Sequence, residues 1–116
     1  MKKSELLEIL NNLECEEISL SQLKTLYITN NKNYNNFYVY VFYKNLKVMY
    51  VGQTTNLRKR FINHFRNNEY EVWKSEITKV EIFELESYSE MTGLESRLIA
   101  TLNHLTVCGL ASRNSI

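Results

Sequence analysis

The sequence has no proline and no aspartate, and only three glycines and two cysteines among its 116 residues. All thirteen acids are therefore glutamates. Without aspartate, a Ser-His-Asp triad, an aspartic-protease dyad, an EF-hand loop and a Walker B acid are excluded in their usual forms. Metal chemistry in this chain has to run on Glu, His or backbone oxygens. Cys15 and Cys108 stand 93 positions apart, which gives neither a disulfide framework nor zinc-knuckle spacing. No run approaches the roughly 20 apolar residues of a bilayer span. The opening Met1-Lys-Lys-Ser-Glu-Leu-Leu-Glu places glutamates where a signal peptide needs an unbroken apolar stretch. The chain is accordingly expected in the cytoplasm, away from membranes. Hydrophobic residues at 44% and charged residues at 23% are ordinary globular values, and the length fits one domain with at most a short appendage.

The net charge of +1 conceals a polarised chain. Residues 1–17 hold two lysines and five glutamates, a balance of −3. Residues 18–68 hold eight Lys or Arg and no acid, a balance of +8. Residues 69–116 hold four basic residues and eight glutamates, a balance of −4. An AT-rich coding bias would enrich Lys and Asn, and there are fourteen asparagines. Such a bias would not clear glutamate from the middle while leaving thirteen at the ends. The acid-free stretch reads as a surface for phosphate.

Leu6, Leu7, Ile9, Leu10 and Leu13 recur at helical spacing over residues 3–13, and a weaker helix follows over 19–28. Five asparagines in residues 30–36 mark a connector. Residues 1–36 thus read as a helical extension, and residues 37–116 as the main domain. Phe37-Tyr-Val-Tyr-Val-Phe-Tyr is aromatic and β-branched throughout, and Val48-Met-Tyr-Val-Gly answers it across a turn of about four residues. Thr54 or Thr55 is expected to cap a helix carrying Leu57, Phe61 and Phe65 on one stripe. Residues 77–86 alternate as a third strand. Ser89 or Thr92 opens a last helix with Met91, Leu94, Leu98, Leu102 and Leu105 on one stripe. The expected architecture is α+β, a three-stranded antiparallel sheet flanked by helices with a β-β-α-β-α core.

Three features go beyond what folding alone requires. Alternation puts Tyr38, Tyr40 and Phe42 on one face of the first strand, and Val48, Tyr50 and Gly52 on one face of the second. Tyr40 and Tyr50 are core aromatics on the plain reading, yet each hydroxyl needs a partner that Phe would not. Arg60 and His64, four apart, flank the Leu57/Phe61/Phe65 stripe, whereas Arg58 and Lys59 turn to solvent. An arginine at a core margin needs an anion, either a phosphate or a glutamate. Glu95 sits between Leu94 and Leu98 on the inward shoulder of the last helix, and a desolvated carboxylate needs an arginine or a metal.

With these residues in view, the sequence resembles the GIY-YIG nucleases. The first motif appears in divergent form as Tyr38-Val39-Tyr40, with Tyr38 in the place of a glycine, and the second as Tyr50-Val51-Gly52. Arg60 and His64 fall ten and fourteen residues after Tyr50, and Leu94-Glu95-Ser-Arg-Leu98 resembles the family's metal-binding helix. The family's terminal asparagine has no match at its usual offset, where Leu110 stands; Asn114 is the nearest substitute. The resemblance covers residues 37 to about 105 and says nothing of residues 1–36.

The resemblance implies hydrolysis of a DNA phosphodiester with one divalent metal, Mg²⁺ or Mn²⁺, held by Glu95. Arg60 would stabilise the non-bridging oxygens. Tyr40 is assigned as general base and Tyr50 as the group that orients water or phosphate. A phenol is a poor base at neutral pH, so this assignment needs Arg60 and the metal to favour the phenolate, or a phenol that acts while hydrogen-bonded to a metal-polarised water. His64, the side chain that titrates nearest neutrality, would assist proton transfer or clamp Tyr40 or a phosphate. Gly52 would let the backbone approach the phosphate, and Lys44, Lys47, Arg58, Lys59 and Arg66 would extend contact along the nucleic acid, DNA or RNA. Residues 1–36 would serve a homodimer, a protein partner, the core or the nucleic acid; the sequence does not choose. Two competing readings are an inactive nucleic-acid-binding module of the same fold and a protein-interaction scaffold.

Overall fold

A computed structural model describes residues 15–30, 34–66 and 69–102. The expected helix over 3–13, Leu105 and Asn114 lie outside the described residues.

The elements in chain order are β1 (Cys15–Ile18), α1 (Leu20–Leu23) running on into a π-helical turn (Lys24–Ile28), β2 (Asn35–Lys44), β3 (Lys47–Asn56), α2 (Leu57–His64), α3 (Glu69–Trp73), β4 (Lys79–Leu85) and α4 (Tyr88–Leu102). The sheet order is β1-β4-β2-β3, and every neighbouring pair is antiparallel. The fold is α+β as expected, but the sheet has four strands rather than three. The added strand is Cys-Glu-Glu-Ile, in which only Ile18 is buried. It pairs with β4 through backbone bonds, and its glutamates fall on opposite faces, Glu16 accepting from the Tyr27 hydroxyl, so its sequence carries no apolar alternation to read.

Strand β2 is central and buried on both sides. Its residues Tyr38, Tyr40 and Phe42 join Tyr50, Leu57, Phe61, Phe65 and the α1 residues Leu20 and Leu23 in one core. Val39 and Val41 face the other way, with Val48, Val51, Phe83 and Leu85 against Met91, Leu94 and Leu98 of α4. The two layers of helix therefore clasp one sheet, aromatic on the α2 side and branched aliphatic on the α4 side. Val48 departs from its expected face. The register shifts between Phe42 and Tyr43, where Phe42 pairs with Tyr50 and Tyr43 with Val48, leaving Met49 as an extra residue. Such a bulge reverses alternation, which puts Val48 and Tyr50 on opposite faces.

Helix starts also differ from the expectation by a residue or two. Asn56 caps α2, its side chain accepting the Lys59 N–H at 3.0 Å. Thr54, buried, accepts the Asn56 N–H and donates to the Asn56 carbonyl, both at 3.0 Å, and so braces the corner instead of capping it. Ser87 opens α4, its hydroxyl accepting the Glu90 N–H at 3.1 Å and donating to the Glu90 carboxylate at 3.3 Å, two residues before the expected Ser89 and five before Thr92.

Candidate active site

The hairpin register sets the site. Tyr40 of β2 lies opposite Gly52 of β3, and Phe42 lies opposite Tyr50. The two tyrosine rings stack with centroids 5.9 Å apart, and both are buried. Gly52 makes this stacking feasible. A Cβ there would stand 2.5 Å from Cζ and Oη of Tyr40 and 2.7 Å from Cε1 of Tyr50. The glycine is therefore spent on the rings, and it is buried beneath them. The glycine expected to let the backbone approach a phosphate is thus one that the two rings cover.

Helix α2 crosses this face with Phe61 and His64 inward, and His64 Nε2 shares a 2.7 Å hydrogen bond with the Tyr40 hydroxyl. The imidazole is 1% exposed, ringed by Tyr40, Phe42, Tyr50, Phe65 and Trp73, and its Nδ1 has no hydrogen-bond partner. Burial, with Arg60 nearby, pulls its pKa down to about 4. His64 is thus neutral at pH 7 and does not titrate near neutrality as its residue type suggested. The consequence for stability has a definite sign. Between about 4 and the ordinary value near 6.5 the unfolded chain binds the proton that the folded chain refuses, so stability falls as pH drops through that window. From pH 6.5 to 4.5, wild type should lose roughly 2 kcal/mol more than His64→Gln in paired urea titrations.

Tyr40 has a similar fate. Burial, then the neighbouring Tyr50, push its phenol well above 10, and the opposing pull of Arg60 does not offset them. Tyr40, expected as the general base, is a buried phenol behind Tyr50 and does not line the recess formed by β3, α2 and α4; Tyr50 does. Burial raises Tyr50 too, but the adjacent Tyr40 hydroxyl and Arg60 both draw it downward, while Glu95 pushes it up.

A recess of about 470 Å³ is lined by Tyr50 and Gln53 of β3, Arg60 of α2, and Glu95, Ser96, Ile99 and Ala100 of α4. Strand β3 is the edge of the sheet, with α2 packed over one face and α4 over the other. The recess therefore wraps the open edge of β3 and draws residues from both layers. Tyr50, Arg60 and Glu95 meet there. Arg60 and Glu95 line the same recess, so both of the anions expected for this arginine, a glutamate and a phosphate, have a place beside it.

The remaining candidates are scattered. Lys44 and Lys47 pair at the hairpin end, and Lys44 is bridged to Glu76 at 2.7 Å, which removes it from the free cations. Arg58 is half-buried, its Nε enclosed without a hydrogen-bond partner, where exposure was expected. Lys59 and Arg66 are exposed, and Arg66 donates to the Asn63 side chain. Sequence reasoning missed Gln53. Its Oε1 is buried and has no hydrogen-bond partner, and it follows the Tyr-Val-Gly motif directly. Among the described residues no three His, Cys or Glu side chains gather as a ready-made metal cage. The oxygens of Glu95 and Gln53 at one recess suit a hard cation that keeps most of its coordination for water and phosphate.

The model of the GIY-YIG catalytic domain matches residues 24–106, most of the chain. The chain belongs to the GIY-YIG family. No curated protein and no solved structure matches it significantly. The domain is of nuclease type, its substrate class is nucleic acid, and GIY-YIG nucleases generally depend on a divalent metal. The divergent first residue of the GIY-YIG signature, Tyr38, lines a second recess with Cys15, Glu16, Tyr27, Ile82 and Glu84, and it takes no part in the first. Among the described residues no helix is long and apolar enough to cross a membrane.

Proposed function

We propose that the chain is a divalent-cation-dependent endonuclease that hydrolyses DNA phosphodiester bonds in the recess at the open edge of β3. The observation that carries this reading is the convergence of Tyr50, Arg60 and Glu95 from three separate elements on that recess. Glu95, with Gln53 beside it, would hold Mg²⁺ or Mn²⁺. When bound, such a cation neutralises charge developing on the leaving oxygen. The guanidinium of Arg60 donates to the non-bridging phosphate oxygens, whose negative charge grows in the transition state. Tyr50, in the fraction that has given its proton to solvent and stands as phenolate beside Arg60, takes the proton of the attacking water as the new P–O bond forms; the bond to the leaving oxygen breaks, and that oxygen is protonated from solvent. Tyr40, stacked on Tyr50 and tied to His64, holds that phenol in place. His64 is a positioning residue in this scheme.

The first turn of α2 adds support. It contains Arg58, Lys59 and Arg60 and no acid, the reverse of what a helix dipole prefers at its N-terminus. A phosphate chain alongside would relieve that conflict. If Lys47, Arg58, Lys59 and Arg66 each neutralise a phosphate, log affinity for duplex DNA falls with log salt at a slope near −3.6.

The test is incubation with supercoiled plasmid, linear duplex, branched DNA and RNA, with Mg²⁺, with Mn²⁺ and with EDTA. Cation-dependent strand scission of DNA is expected. Salt-sensitive binding without scission under any cation would favour the inactive module instead, and no binding at low salt would favour the scaffold.

A further inference from the structure

The tip of the β2–β3 hairpin is built unlike a passive turn. Two residues, Asn45 and Leu46, join the Lys44/Lys47 pair. Asn45 adopts φ 56°, the left-handed region, at a first turn position that favours glycine. Leu46 follows it and is 97% exposed. Single exposed leucines are common on protein surfaces. This one differs because the turn presenting it is pinned. The Asn45 N–H donates to Thr78 Oγ1 at 2.7 Å, the Thr78 N–H donates to the Tyr43 carbonyl at 2.8 Å, and Lys44 bridges to Glu76 at 2.7 Å. The segment before β4 thus acts as a strut under the tip. A leucine held away from all packing, with Lys47 beside it and Lys44 committed to Glu76, is placed to enter something apolar that lies behind a single anionic contact.

That description fits stacked bases behind a phosphate backbone. We propose that Leu46 is a wedge that enters a base step of duplex nucleic acid beside the cleavage site. This rests on the reading that the recess acts on nucleic acid. The spacing is set by β3, the strand that carries both. Tyr50 lies four residues from Leu46, which is about 10–13 Å once the Met49 bulge is allowed for. At ~3.4 Å per nucleotide that is three to four base steps from the phosphate in the recess. An apolar side chain inserted there unstacks the step and bends the duplex, which brings more backbone against the cations of α2. Duplexes with an easily opened step would be preferred substrates.

The test uses short duplexes with 2-aminopurine at successive positions, bound by the Glu95→Gln protein in Mg²⁺ so that the strands stay intact. Fluorescence is expected to rise severalfold at a step near three to four nucleotides from the mapped cut. The added substitution Leu46→Ala should abolish that rise and weaken duplex binding roughly tenfold. Leu46→Phe, which keeps an apolar wedge, should retain the rise, and a mismatch at the same step should restore tight binding by Leu46→Ala. Binding with flat fluorescence, or an equal rise with Leu46→Ala, overturns the wedge while leaving the nuclease reading intact. Failure of the protein to bind any duplex at low salt overturns the nucleic-acid reading and the wedge with it.

Discussion

Gly52→Ala should destabilise the protein by about 3–5 kcal/mol, where an ordinary glycine-to-alanine change inside a strand brings a small gain. The added methyl would stand 2.5 Å from Cζ of Tyr40, a distance that real contacts do not reach. The ring has nowhere to go, because Phe42, Phe61 and His64 enclose it and its hydroxyl is bonded to His64. Accommodation therefore requires both overpacking strain and loss of a buried hydrogen bond, which together give the estimate. Urea midpoints report the loss directly. A second substitution identifies its cause. Tyr40→Val opens the space that the methyl needs, so the Gly52→Ala/Tyr40→Val pair should be far less destabilised than the two single changes summed. Additive losses would show that the glycine serves the strand and not the ring. Scission should remain low in the double variant, because Tyr50 no longer has its stacking neighbour.

The same pair of positions marks how far the sequence could be read. The alternating aromatic run of β2 and the returning Tyr50-Val51-Gly52 fixed the hairpin, and hairpin pairing brings Tyr40 against Gly52. Arg60 on α2 and Glu95 on α4 were legible because an ionic side chain beside an apolar stripe is costly without a partner. Other features depended on long-range packing. β1 is a strand because β4 offers it a ladder, a reason that lies more than sixty residues away. Val48 changed face because of one extra residue in the ladder. The ionisation of Tyr40 and His64 was least accessible of all. Residue type places His64 near neutrality, but Phe42, Phe65 and Trp73 close around it and exclude the water that would solvate a charge. Gln53 carried no signal except its place after the glycine, since only the folded recess shows its oxygen to be without a partner.

Arg60→Gln and Glu95→Gln should both suppress scission, by roughly 10²–10³-fold and 10³-fold or more respectively, and yet move Tyr50 in opposite directions. The rate losses have different origins. Without Arg60 the charge growing on the phosphate oxygens loses its fixed donor; without Glu95 the recess loses the carboxylate that would hold a cation. The phenol distinguishes them. Arg60 draws the Tyr50 pKa down and Glu95 raises it, so Arg60→Gln should shift it up and Glu95→Gln should shift it down. Selective ¹³Cζ-tyrosine NMR titration of the cation-free protein reads both shifts without any turnover. In the wild type, scission should climb with pH above neutrality as Tyr50 approaches ionisation, and should show no inflection near 6.5, because His64 has already lost its proton by then. A cation on Glu95 cancels the charge that raises Tyr50, so the alkaline limb should move to lower pH as Mg²⁺ is increased. Shifts of the same sign in the two variants would mean that Arg60 and Glu95 do not flank one phenol, and the proton-transfer role of Tyr50 would fall.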